Sequence, residues 1–301
     1  MTRALVECVP NVSEGRDRAR VEAFAAAVRA TPAVTLLDVH ADPDHHRAVY
    51  SFAGAPPAVE AGALALATCV IDALDLRTHS GVHPRIGALD VVPFVPLAGC
   101  TMAEAVALAR RVGRAVAARH GLPVYYYGHA ATRPGRRRLP DVRRGGYEAL
   151  PTRLASGDDP PDDGPPRFDP RSGAVLVAAR ELLVAFNVWL GSSDLEAARA
   201  IARRVRESGG GLPAVQALGL PLPSRGLVQV SMNLLDFRVT PIPAAFDLVC
   251  EEAARRSIGV RQSELVGVAP RAAFAGRSPE SVGLAAFRPS LLLDTFVAPS
   301  G

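Results

Sequence analysis

The chain has 301 residues, of which 49% are hydrophobic and 21% charged, enough for one large domain or two ordinary ones with a real core. All 34 basic residues are arginine, which excludes a catalytic lysine, a Schiff base and a Walker-type phosphate loop. The net charge of +4 mildly favours anionic ligands, but no stripe of arginines interleaves with aromatics, so nucleic acid is not an expected partner.

Residues 3–9 read as a short buried strand. Over 17–31, Val21, Phe24 and Val28 recur at helical spacing, and Pro32 stops the helix. Strands follow over 34–40 and 47–52, joined by the polar elbow 41–46. Pro56 and Pro57 open a long apolar helix to about Leu74. The loop 75–85 leads to a strand over 88–95. The order to this point is β-α-β-β-α-β, the split βαβ arrangement. Thr101 and Glu104 form a T-x-x-E box at the start of another helix, and 123–127 is a strand. An arginine-rich stretch, 133–144, precedes a Pro/Asp/Gly-rich stretch, 151–173, with no periodicity.

Further strands are expected near 174–179 and 182–189, then a helix capped by Ser193 and Glu196. Strands near 214–218 and 227–233, a helix over 244–257 and a strand over 259–266 complete a second β-α-β-β-α-β. The expected fold is therefore α/β (α+β). Two ferredoxin-like subdomains, 1–178 and 179–301, stack their sheets with helices outside, which buries the bare face of each sheet. The uncharged run 61–71 is too short to cross a bilayer, and the first residues lack the apolar run of a signal peptide. Cys8, Cys69, Cys100 and Cys250 are scattered without a C-x-x-C pair. Together these features predict a cytoplasmic protein with no membrane partner.

Five of the seven histidines lie between positions 40 and 83. His83 precedes Pro84, which stiffens its backbone, and Gly81 and Gly87 allow close backbone approach. A positioned imidazole is suited to acid/base work near neutral pH, although a surface loop beside a turn would look the same. His40, His45 and His46 resemble a ligand cluster, yet no H-x-x-x-H or H-E-x-x-H motif accompanies them, so no metal is expected. Asn11 and the residues to Gly15 sit where a strand gives way to a helix; Ser13 reads as a helix cap, with ligand contact at the helix N-terminus as the alternative. Arg47 and Arg85 suit carboxylate recognition, whereas Arg136, Arg137 and Arg138 read as a solvated face. The glycine run 209–211 reads as a helix C-cap and loop.

Several long motifs occur in order. They are V-E-C-V-P-N-V-S-E-G (6–15), H-P-R-I-G-A-L-D-V-V-P-F (83–94), P-V-Y-Y-Y-G (123–128) and L-P-D-V-R-R-G-G-Y-E-A-L (139–150). L-V-A-F-N-V-W-L (183–190), Q-V-S-M-N-L-L-D-F (229–237) and S-E-L-V-G-V-A-P (263–270) follow. This series resembles the glutamate formimidoyltransferase (formiminotransferase) family, to about Pro270. The resemblance implies a two-subdomain enzyme that forms a homodimer and binds tetrahydrofolate between its subdomains. It implies transfer of a formimidoyl group from N-formimidoyl-L-glutamate to N5 of tetrahydrofolate, as in histidine degradation, with His83 as acid/base and no metal. The family's folate-binding segment falls on Gly164, Pro165, Pro166, Arg167, Phe168, Asp169, Pro170, Arg171, Ser172 and Gly173. His40, Arg47 and Arg85 are the substrate-binding candidates.

Members of the animal bifunctional type carry an acidic residue where His40 stands and Asn where His46 stands. They have Glu at the place of His129 and an aromatic at that of Ser172. A stand-alone form is expected, with any cyclodeaminase step on a separate polypeptide. The rival readings are a paralogue using another one-carbon donor, such as 5-formyltetrahydrofolate, a folate-binding protein without catalysis, and a His-cluster metalloprotein.

Overall fold

The computed structural model describes residues 4–285 and 287–297. The chain divides into two units, the first ending at Arg180 and the second beginning at Glu181.

In the first unit, β1 (Val6–Cys8) and β2 (Asn11–Val12) lie end to end in one strand position, broken at Pro10, which has no N–H for a ladder. α1 (Arg18–Arg29) follows, with Asp17 as its N-cap accepting from the Ala19 and Arg20 amides. Ser13 is therefore not the cap, and its hydroxyl instead donates to the Gly87 carbonyl at 2.7 Å. β3 (Val34–Asp42), β4 (Arg47–Gly54), α2 (Pro56–Ala73) and β5 (Leu89–Pro96) complete the first β-α-β-β-α-β. α3 (Met102–His120) begins with the expected Thr101–Glu104 capping box and ends on Gly121 in the left-handed conformation. β6 (Val124–Gly128), α4 (Leu139–Val142), α5 (Gly146–Ser156) and β7 (Val175–Ala179) close the unit.

The sheet runs β3-β4-(β1, β2)-β5-β7-β6. Its first four positions have the ferredoxin-like order, antiparallel throughout. β7 and β6 extend it in parallel with β5, so β7 pairs with the first sheet and not with a strand of the second unit. Parallel strands need cover on both faces. α1, α2 and α3 cover one face over a core that includes Phe24, Phe52, Leu66, Val70, Phe94 and Val112. On the other side Val142, Leu150 and Leu154 of α4 and α5 pack against Ile86, Tyr125, Tyr127 and Leu176. Helical structure over residues 151–156 corrects the expected irregular stretch. Pro151 lies inside α5 and forfeits one backbone bond, which the burial of Leu150 and Leu154 offsets at about 1.5–3 kcal/mol per side chain. α2 is long and apolar enough, by length and composition, to cross a membrane, but it buries Val59, Leu66 and Val70 in this core.

The second unit contains β8 (Val184–Leu190), α6 (Leu195–Val205), β9 (Val215–Leu222), β10 (Leu227–Leu234), α7 (Ile242–Ala254) and β11 (Val260–Val266). Its sheet order, β11-β8-β10-β9, is antiparallel and ferredoxin-like. Asp194 caps α6 through the Ala197 amide, one residue after the expected Ser193. Residues 207–209 form a short 3-10 turn, with Gly210 left-handed after it. Ile201, Val205, Val249 and Ala253 turn inward against Phe186, Val188 and Val230.

Glu7 lies on β1 with 2% of its surface exposed. Burial lifts its carboxyl from the usual range to about 7, with the Arg180 charge opposing. A carboxyl raised on folding favours the native state below its unfolded value and withdraws that support as pH rises through 7. Glu7→Gln is therefore expected to raise stability by about 3 kcal/mol at pH 8 and by little near pH 4, measured by denaturant melts. Equal shifts at both pH values would remove this account.

Candidate active site

The histidine loop hangs between two anchors. On one side is the β3–β4 turn, where Asp42 Oδ1 accepts from the Asp44 and His45 amides at 2.7 and 2.8 Å. His46, left-handed at φ 50°, stacks on His79 with ring centroids 4.2 Å apart and 9° between planes. The Val82 amide donates to the Asp44 carbonyl at 3.2 Å. On the other side is the segment 164–173. The Leu76 amide donates to Arg171 O at 2.8 Å, and the Ala88 amide to Ser172 O at 2.9 Å. Gly87 and Gly173 then form a β-bridge. Both positions require glycine. A Cβ at Gly87 would lie 1.9 Å from the Ala174 carbonyl oxygen, and one at Gly173, where φ is 68°, would lie 2.2 Å from Ile86 O.

Asp90 holds the centre of the site and is fully buried. Its Oδ1 accepts from the Ile86 amide at 2.8 Å. Its Oδ2 accepts from Arg47 Nη1 at 2.8 Å and from Arg143 Nη2 at 2.6 Å. Arg47 Nη2 also donates to Asn11 Oδ1, and Arg47 Nη1 lies 3.0 Å from His83 Nδ1. The Pro84 carbonyl lies 2.8 Å from the same nitrogen, and the His45 ring is 5.6 Å away. The Pro84 oxygen can only accept and the Arg47 guanidinium can only donate, so the two neighbours of Nδ1 favour opposite tautomers; in the one that Pro84 favours, the basic nitrogen is Nε2. Burial, then the charges of Arg47 and Arg143 and the neighbouring His45, push the His83 imidazole well below the ordinary histidine range. It is thus a neutral base at neutral pH. Burial also lowers Arg47 to about 10, with Asp90 opposing, so Arg47 stays charged.

The remaining polar groups brace the loop. Burial holds His79 at about 4, and its Nε2 donates to His46 O at 2.9 Å. His46 Nδ1 faces Ser80 O at 2.9 Å and its Nε2 faces Glu14 Oε1 at 3.1 Å. Burial disfavours ionisation of Glu14, but hydrogen bonds from His46 and from the Asp17 and Arg16 amides outweigh it and hold the carboxyl at about 2. Among the described residues no three His, Cys, Asp or Glu side chains gather as a metal site.

The structure joins His83 to Arg47 of β4, and joins the His83 loop to the segment 164–173. Within that segment Asp169 Oδ1 accepts from the Arg171 and Ser172 amides, and Phe168 packs on Tyr147 at 5.4 Å. Tyr147 also donates to Pro170 O at 2.6 Å. Arg85 stands over the Tyr147 ring at 5.1 Å and pairs with Glu148 at 3.0 Å. His40 sits on β3, two residues before Asp42, whose register partner is Arg47. His129 is exposed at the end of β6.

Arg136 corrects the reading of its run as a solvated face, since only 4% of its surface is exposed. It bonds Asp162 Oδ2 at 2.6 Å and Asp159, and lies over Tyr125 at 4.8 Å, which clasps 158–163 to the sheet just before Gly164. Arg137 and Arg138 are exposed. Asp90 and Arg143 were missed as site residues. Both lie inside the quoted motifs, but nothing in residues 53 apart signals that they share a hydrogen bond.

Residues 5–180 match the formiminotransferase domain, N-terminal subdomain, and residues 185–278 match the formiminotransferase domain. The chain is 46% identical over 272 residues to a formimidoyltransferase-cyclodeaminase of Sus scrofa, covering 88% of this chain and 50% of that protein. It is 42% identical to a glutamate formimidoyltransferase of Thermoplasma acidophilum and 38% identical to one of Streptococcus pyogenes, in each case over 90% of both chains. It spans about half the length of the animal relatives. With both halves matched in order, the chain belongs to the formiminotransferase family.

Proposed function

We propose that this chain transfers the formimidoyl group of N-formimidoyl-L-glutamate to N5 of tetrahydrofolate, releasing L-glutamate. The observation that carries this reading is His83, set against Arg47, on a loop hydrogen-bonded directly to the segment 164–173, in a chain of this family.

The chemistry is an addition followed by an elimination. N5 adds to the amidine carbon and becomes positively charged in the tetrahedral intermediate. In the tautomer that Pro84 O favours, His83 takes the N5 proton on Nε2, the ring nitrogen that faces neither Pro84 nor Arg47. The same nitrogen returns that proton to the glutamate nitrogen, so the C–N bond breaks with a neutral amine leaving. The Arg47 charge favours prompt return, because it makes the imidazolium costly.

Tetrahydrofolate is the co-substrate in this reading, with segment 164–173 as its binding strip beside Phe168 and Tyr147. No metal is assigned to the reaction. The family resemblance supports a homodimer, and the animal relatives' joint name supports a cyclodeaminase acting on the product. Four free cysteines fit a cytoplasmic setting.

The test is a steady-state assay with two donors, N-formimidoyl-L-glutamate, or 5-formyltetrahydrofolate with L-glutamate as acceptor. Turnover with the first and none with the second is expected. The reverse preference would overturn the reading.

A further inference from the structure

We infer that Arg47 and Arg143 together bind the α-carboxylate of the glutamate moiety, with Arg143 rather than Arg85 as the second arginine, an inference that rests on the formimidoyl-transfer reading. Two guanidinium groups share the single carboxylate of Asp90, through contacts of 2.8 and 2.6 Å. That leaves one positive charge uncompensated within the cluster. Arg143 makes one side-chain hydrogen bond among the described residues, to Asp90, and its Nε is buried without a partner. A charge in this setting is costly unless an anion completes it. The cluster is not sealed, because the Arg47 and Arg143 side chains keep 13% and 12% of their surfaces exposed.

Arg85 also has a buried Nε without a partner and a similarly exposed side chain, but it differs in its charge pairing. Its Nη1 is paired with Glu148 at 3.0 Å, its Nη2 reaches His79 O at 3.4 Å, and its guanidinium rests on Tyr147. Its charge is already met.

Position selects which carboxylate is held. Arg47 Nη1 is 3.0 Å from the His83 ring, so an anion on this pair lies beside the imidazole. In the donor the α-carboxylate is one carbon from the nitrogen that leaves, whereas the γ-carboxylate is two methylenes farther along. Docking the α-carboxylate brings the leaving nitrogen to the base. The bound anion would also return balance to a cluster whose excess charge disfavours the imidazolium.

The experiment compares wild type with Arg143→Gln and Arg143→Lys. Two readouts are used, steady-state kinetics and calorimetric binding of L-glutamate, L-isoglutamine (α-amide) and L-glutamine (γ-amide). For Arg143→Gln, the KM for N-formimidoyl-L-glutamate is expected to rise ~10–100-fold with the KM for tetrahydrofolate unchanged, as for loss of a hydrogen bond to a charged group. Arg143→Lys falls between, keeping charge without the fork. Wild type is expected to bind L-glutamate and L-glutamine but not L-isoglutamine, and Arg143→Gln to lose the preference. An unchanged donor KM in Arg143→Gln, or L-isoglutamine bound by wild type as well as L-glutamate, would overturn the assignment. If wild type transfers no formimidoyl group, the functional reading fails, and the three calorimetric titrations still decide this inference. Should Arg143→Gln not fold, Arg143→Lys and the wild-type amide series carry the decision.

Discussion

Replacing His83 with alanine is expected to lower kcat for formimidoyl transfer by roughly 10²–10⁴-fold, the usual contribution of a positioned general acid/base. Tetrahydrofolate affinity should persist, because the contacts anchoring segment 164–173 run through backbone groups of Leu76, Gly87 and Ala88 and not through the imidazole. The pH dependence follows from the depressed imidazole. The reactive form is the free base, so kcat/KM holds constant through the neutral range and falls only as pH drops through a value well below that of ordinary histidine. In His83→Ala that acid limb should vanish. Steady-state kinetics with an equilibrium folate titration checks both points. Comparable turnover in the variant, or an acid limb that survives it, would remove His83 from the base role.

The second large effect is expected at Asp90. Asp90→Asn keeps the shape but removes the charge that Arg47 and Arg143 share, and it presents an amide N–H where a guanidinium also donates. Breaking a buried ion cluster by removing one partner costs about 3–5 kcal/mol. The same change loosens Arg47, whose Nη1 lies against the imidazole. Thermal melting should fall accordingly, and transfer measured well below the melting temperature should drop by about 10²-fold or more, since catalytic geometry is sensitive to small misplacement. A variant that melts and turns over like wild type would show that Asp90 organises nothing.

Local chemistry made much of the fold legible. Pro56, the Thr101–Glu104 box and the alternation of the strands placed most elements within a few residues. Where reading failed, a tertiary term had overridden a local signal. Pro151 and the acidic, Pro-rich composition around it argued for loop, but Leu150 and Leu154 complete the cover over the parallel strands. Arg136 looked like surface charge because its aspartate partners lie some 25 residues on, in a segment with no periodicity. Ser13 and Ser193 were plausible caps by type, but Asp17 and Asp194 sit at the amides that need them.

The candidate site was legible to a similar depth. The stiff His83-Pro84 pair between Gly81 and Gly87 pointed to a positioned imidazole, and Arg47 stands against it. Its charge environment was not legible. Asn11, Arg47, Asp90 and Arg143 come from four separate stretches of chain, and only the folded sheet and the loop after α4 bring them together. Arg85 illustrates the converse. It lies two residues from His83, yet Glu148 and Tyr147 claim it.

The most direct test of the central claim is a single turnover with the donor labelled at its formimidoyl carbon, in the presence of excess enzyme and tetrahydrofolate. The account predicts that the label appears on N5 of the folate in step with an equal amount of free L-glutamate. Label that stays on the glutamate derivative while tetrahydrofolate is bound would contradict it.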